Sequence, residues 1–153
     1  MATDAVEPEE AIRAHAAGPV LVVGFDDSET AWRALHYAFG MARRQHAHVV
    51  TVFAQTLGLS CWLPGAEAAV YAAAPEEVAR IRTKIRAAAN EAGVPVTLVP
   101  GTGDPIALLA DTALRWRADA IIVGASSSRW HRLLGSVGLR AVRLRRWPVT
   151  VVP

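Results

Sequence analysis

Two stretches of this sequence place polar residues where a fold can meet a small anionic ligand. The first is Asp26-Asp27-Ser28, directly after the apolar run Pro19 to Phe25, PVLVVGF. The second is Ile121 to Ser136, IIVGASSSRWHRLLGS, in which an apolar run stops at Gly124, a small polar loop follows, and Gly135-Ser136 opens a helix-like segment. A strand that stops and a helix that starts leave backbone N–H groups free around one loop, and such groups hold anions.

Other polar residues read more plainly. Asp27 and Ser28 have the types of a metal ligand and a nucleophile, but an Asp-Ser pair before a helix is far more often a cap. His36, His46 and His48 share no face with a carboxylate at ligand spacing, so they read as surface or partly buried structural residues. For His131 a phosphate contact and a solvated loop position are both open. Trp32 and Trp116 fall at helix positions and read as packing, whereas Trp62 and Trp130 suit a flap and a lid over a crevice. Cys61 is the only cysteine, which excludes an internal disulfide and a thiolate zinc site. With neither a Walker lysine nor paired acids near the loop, the expectation is a binding protein rather than an enzyme.

Alternating elements must position these residues. Pro19 to Phe25 is a continuous apolar, β-branched run of the kind found in a strand covered on both faces. Ser28 then caps a helix with Ala31, Leu35, Ala38 and Ala42 on one stripe and Arg43-Arg44 at its negative end. A second strand is expected over Ala47 to Ala54, completing a right-handed βαβ unit. Gln55 to Ala74 reads as a flap with a turn or two of helix. Pro75 with Glu76-Glu77 reads as the start of a helix striped by Val78, Ile81, Ile85, Ala88 and Ala92 and ended by Gly93. A third strand, Val96 to Val99, leads through Gly101 and Gly103 to Asp104-Pro105, a cap followed by a helix-starting proline. That helix turns Ile106, Leu109, Ala113 and Trp116 inward. Ala118 to Val123 is the fourth strand. A last helix, Ser136 to about Arg146, has Val137, Ala141 and Leu144 inward and Arg140 and Arg143 outward, before a fifth strand at Val149 to Val152.

The pattern predicts one three-layer αβα domain over residues 19–153, with an open sheet of five parallel strands, behind a mobile arm at residues 1–18. The chain has 153 residues, 52% of them hydrophobic, enough for one buried core. No apolar run approaches the ~20 residues a membrane span needs, and the acidic N-terminus lacks a signal core, so a cytoplasmic protein is expected. From Arg129 onward there are six arginines and no acid, which against a total charge of +2 leaves −4 for residues 1–128. A basic end beside a Gly/Ser loop suits phosphate or nucleic acid, and a solvated helix face is an equal reading. Ligands of open α/β sheets bind beyond the strand carboxyl ends where the order reverses. If the order is 3-2-1-4-5, that point lies between the strands ending at Asp26 and at Gly124.

Taken together, VVGFDDSE, GDPIALLADTALRWRADAIIVG, the GS pair and PVTVV resemble the universal stress protein family over nearly the whole length from Pro19. The resemblance implies the 3-2-1-4-5 order, Rossmann-like and related to the adenine nucleotide alpha hydrolase-like folds. It also implies a regulatory stress-response role and binding of ATP, with Mg²⁺, or a related adenine nucleotide. By resemblance Asp26 and the backbone of Ala54 meet adenine, and Gly124 and Gly135-Ser136 match the family's G-x2-G-x9-G-[S/T] loop, flanked by Val123 and Val137. Ser127 stands in place of the second glycine, and seven residues rather than nine separate it from Gly135. Ser126, Ser127 and Arg129 offer replacement donors to phosphate. A homodimer through Val149 to Val152 is implied as well. A nucleotide-free dimer that binds an unidentified protein partner is the alternative, and nucleic-acid binding through the C-terminal arginines is the weaker one.

Overall fold

In the computed structural model, which describes residues 18–55, 66–125 and 137–153, strands and helices alternate as the periodicity requires. β1 (Val20–Phe25) is followed by α1 (Glu29–Gln45), β2 (His48–Gln55), α2 (Ala66–Ala92), β3 (Val96–Thr102), α3 (Pro105–Arg115), β4 (Ala120–Gly124), α4 (Val137–Arg143) and β5 (Val149–Val152). The five strands form one parallel sheet in the order β3-β2-β1-β4-β5. Among the described residues no helix is long and apolar enough to cross a membrane.

Period-two alternation along β1 divides the core. Leu21, Val23 and Phe25 face α1 and α2, where they meet Leu35, Phe39, Ile81 and Ile85. Val20 and Val22 face the opposite layer, with Ile106, Leu109, Trp116 and Ala141. Both faces of the central strands are therefore covered, as their uninterrupted apolar runs require.

Local chemistry explains the helix ends. Ser28 is the N-cap of α1, its Oγ accepting from the Ala31 N–H at 3.2 Å. Asp104 caps α3 in the same way and Pro105 occupies its first turn. α2 ends at Gly93, which adopts φ 66°, a conformation that suits glycine.

Three expectations change. α2 does not start at Pro75: it runs from Ala66, with Pro75 inside it. The sequence AEAAVYAAA is rich in the strongest helix former, and that propensity carries helix through the proline. β3 continues past Val99 to Thr102, because an edge strand tolerates Pro100, which pairs in register with Phe53. α4 stops at Arg143, short of Arg146, and Arg145 turns into a left-handed conformation at φ 53°.

Candidate functional site

β1 and β4 pair directly, and their connections leave toward opposite ends of the sheet, so their carboxyl ends open a crevice at the point where strand order reverses. The crevice has a volume of ≈ 520 Å³ including its open mouth. Its walls are mostly apolar: Phe25, Val52, Ala54, Leu109 and Val123 contribute carbon surface, and Asp26, Ser28 and Thr30 supply oxygen at one side. Four of the expected ligand residues, Asp26, Ala54, Val123 and Gly124, thus line one space. Ser126, Ser127, Arg129, Gly135 and Ser136, with Trp62, Trp130 and His131, lie outside the described residues, as does the side chain of Val137.

The first turn of α1 forms one wall. Thr30 and Ala31 line the crevice, which places the positive end of a 17-residue helix beside it. Close approach of that turn also accounts for Gly124. A Cβ there would stand 2.6 Å from the carbonyl carbon and oxygen of Thr30, so any side chain would collide with backbone. Gly24 is less tightly enclosed: a Cβ there would meet the Val123 side chain first, Cγ1 at 3.1 Å.

The Asp26-Asp27-Ser28 turn divides its work among three side chains. Asp26 Oδ1 accepts from the Ser28 N–H at 3.1 Å, which holds its carboxylate at the crevice side. Ser28 caps α1. Asp27, expected to be part of the cap, faces away toward α2: it accepts from Trp32 Nε1 at 2.8 Å and from Arg80 at 3.2 Å, and Lys84 Nζ lies 3.6 Å away. Partial burial pushes the Asp27 carboxyl up, but the indole donor, the Arg80 guanidinium and the Lys84 ammonium outweigh it and hold the group below its ordinary value. Trp32 packs as expected, its ring roughly perpendicular to that of Phe25 with centroids 5.0 Å apart, and its indole N–H adds the bond to Asp27.

Asp104 and Arg140 form a bidentate pair, both contacts 2.9 Å, that ties the start of α3 to α4. The guanidinium bonds keep the Asp104 carboxyl below its ordinary value. Arg140 is thus committed to a carboxylate instead of projecting freely outward, which takes one cation from the expected basic face.

His48 is buried, stacked on Trp116 at 5.5 Å and bonded through Nε2 to Thr97 Oγ1 at 2.9 Å. His36 packs at 5.9 Å from Trp32, and His46 closes α1 in a left-handed conformation. Sequence reasoning missed Thr30, Pro105 and Leu109 as crevice walls. The Asp104-Pro105 helix start was the available signal for the last two, because it places the first turn of α3 at the carboxyl end of the sheet.

A family model described as the universal stress protein family matches residues 19–153. No curated protein matches the chain. Among solved structures, a universal stress protein family member from Burkholderia pseudomallei is 26% identical, with 88% of this chain and 95% of that one covered and a TM-score of 0.69. A universal stress protein in complex with cAMP is also 26% identical, covering 90% of this chain and 98% of its own, with a TM-score of 0.65. A universal stress protein from Lactobacillus plantarum, 20% identical over 88% of this chain and 97% of its own, shares the fold with a TM-score of 0.73.

Proposed function

The chain belongs to the universal stress protein family, and from that premise we propose that it binds an adenine nucleotide in the β1/β4 crevice and acts as a regulatory protein rather than a catalyst. The observation that carries this reading is the convergence of Asp26, Ala54, Val123 and Gly124 on one apolar crevice at the topological switch. Carbon walls from Val52, Ala54, Leu109 and Val123 suit the faces of a purine. The Asp26 carboxylate suits an exocyclic amine, which can donate a hydrogen bond to it. The cAMP complex of the similar protein supports the same ligand class.

Sugar and phosphates fall to Gly124, to the loop donors Ser126, Ser127 and Arg129, and to Gly135-Ser136 and Val137. ATP with Mg²⁺ is the form proposed from the family resemblance. Regulation then follows from occupancy: a ligand that favours one arrangement of the crevice rim shifts the protein toward it and changes what a partner meets.

Titration calorimetry with AMP, cAMP and ATP, the last with and without Mg²⁺, tests the reading. Saturable binding with a thermal shift is expected. Absence of heat and of any shift at millimolar concentrations of all three would remove it. Asp26→Ala is expected to weaken adenine binding at least tenfold, since a hydrogen bond to a charged group contributes about 1.5–3 kcal/mol.

A second reading, a dimeric interaction module, is favoured by the edge of the sheet. Val151 on β5 and Leu139 and Val142 on α4 are 45%, 48% and 51% exposed, an apolar margin beside a strand edge that pairs with no further strand among the described residues.

A further inference from the structure

Asp27 has a left-handed backbone, φ 61°, in a position directly after the crevice residue Asp26. Side chains disfavour that conformation, and Asp tolerates it better than most, so something must hold it there. The carboxylate supplies the hold. One oxygen accepts from Trp32, on the second turn of α1, and the other meets Arg80 and Lys84, one turn apart on α2. Trp32 in turn packs perpendicular to the ring of Phe25, which lines the crevice. Glu77 stands 3.9 Å from Arg80, and Asp26 is the nearest acid along the chain.

Resting on the nucleotide reading above, we propose that Asp27 is a positioning residue for the crevice, a clasp that locks the Phe25–Ser28 turn so that Asp26 faces the ligand and that links crevice occupancy to the seating of α2. The clasp differs in kind from the packing around it. α2 is anchored to the core by Ile81, Ile85 and Ala89, all buried, so removing the carboxylate leaves that apolar face in place. What changes is the freedom of the turn. Because Asp26 bonds to the Ser28 N–H across Asp27, a turn that relaxes at Asp27 moves the Asp26 carboxylate with it.

Three variants separate these effects. Asp27→Gly accepts the left-handed backbone and removes the carboxylate. Asp27→Asn keeps an acceptor for the indole and removes the charge. The Arg80→Gln/Lys84→Gln double variant keeps Asp27 and deletes its partners on α2. In each, AMP affinity is measured by calorimetry, and exchange of the Trp32 indole proton is followed without ligand by NMR, the resonance being assigned with Trp32→Phe.

Asp27→Gly is expected to weaken AMP binding at least tenfold and to speed indole exchange at least tenfold, with a melting temperature within a few degrees of the parent. Asp27→Asn should recover most of both losses, and the double variant should fall between. Indole exchange in Asp27→Gly equal to that of the parent would overturn the clasp, whatever the AMP result. AMP affinity within twofold of the parent, alongside faster exchange, would overturn its role in positioning Asp26. A parent protein that takes up none of AMP, cAMP and ATP removes the nucleotide reading, and accelerated exchange would then still support the clasp between the turn and α2.

Discussion

Gly124 has two reasons to be glycine, and they predict different things. In the proposed ligand role it offers bare backbone to the crevice. As a packing residue it lets the first turn of α1 approach, since any Cβ would come within 2.6 Å of Thr30 backbone atoms that have no rotamer by which to yield. Gly124→Ala is therefore expected to destabilise the fold by about 1–3 kcal/mol through overpacking. Urea denaturation should show a lower midpoint at unchanged slope. A variant that kept its midpoint and lost only AMP binding would speak for the ligand role alone. Arg117 presents the opposite case, an exposed side chain in a left-handed conformation, φ 50°, just past α3. Its N–H bonds to the Leu114 carbonyl and that of Ala118 to Ala113, the turn that glycine usually closes. Arg117→Gly should raise stability by about 0.5–1 kcal/mol, the relief of strain slightly offset by the freer unfolded chain.

At the scale of elements, α3 and α4 are joined across the surface by Asp104 and Arg140, and this union is sensitive to acid. The Asp104 carboxyl is lowered from an ordinary value of 3.8, first by its bonds to Arg140. A group with a depressed folded pKa binds protons more readily when unfolded. It therefore stabilises the fold fully above that ordinary value and stops doing so as pH falls through the lower folded one. Asp27 acts in the same window, its pKa being lowered as well. Melting temperatures followed downward from about pH 6 should fall more steeply below about pH 4 in the parent than in Arg140→Gln. Both partners are partly exposed, so salt should narrow the difference. Nothing in the sequence announced this pair, because the partners lie 36 residues apart and each has a sufficient local reading, one as a helix cap and one as a surface cation. The Asp27 clasp was hidden for the same reason, its α2 partner being 53 residues away. α2 and β3 were misjudged differently: Pro75 and Pro100 are strong local punctuation, and helix propensity in one case and an edge position in the other override them.

At the scale of the whole molecule, hydrophobic periodicity was enough to find all five strands, since each central strand is covered on both faces and must be apolar throughout. It could not order them. The 3-2-1-4-5 order, and with it the meeting of Asp26 and Gly124, came from resemblance, because residues 98 positions apart leave no local trace of their pairing. The same order leaves β5 at an edge, with Val151 exposed and resting against Gly138 of α4. Among the described residues no strand pairs with the outer side of this apolar edge, and the proposed dimer pairs it with the same strand of a second copy about a two-fold axis. Light scattering should then give twice the 16.3 kDa mass of the chain. Val151→Lys should restore the single mass, because a lysine can lay its stem across α4 and keep its charge in water, where it opposes strand pairing. Measured beside AMP affinity, the variant also tests whether assembly and ligand are linked. Binding that weakens on dissociation would mean that the β5 edge and the crevice, joined through β4, respond as one unit. Unchanged binding would leave them independent, and a parent that scatters as a monomer at high concentration would remove the edge pairing altogether.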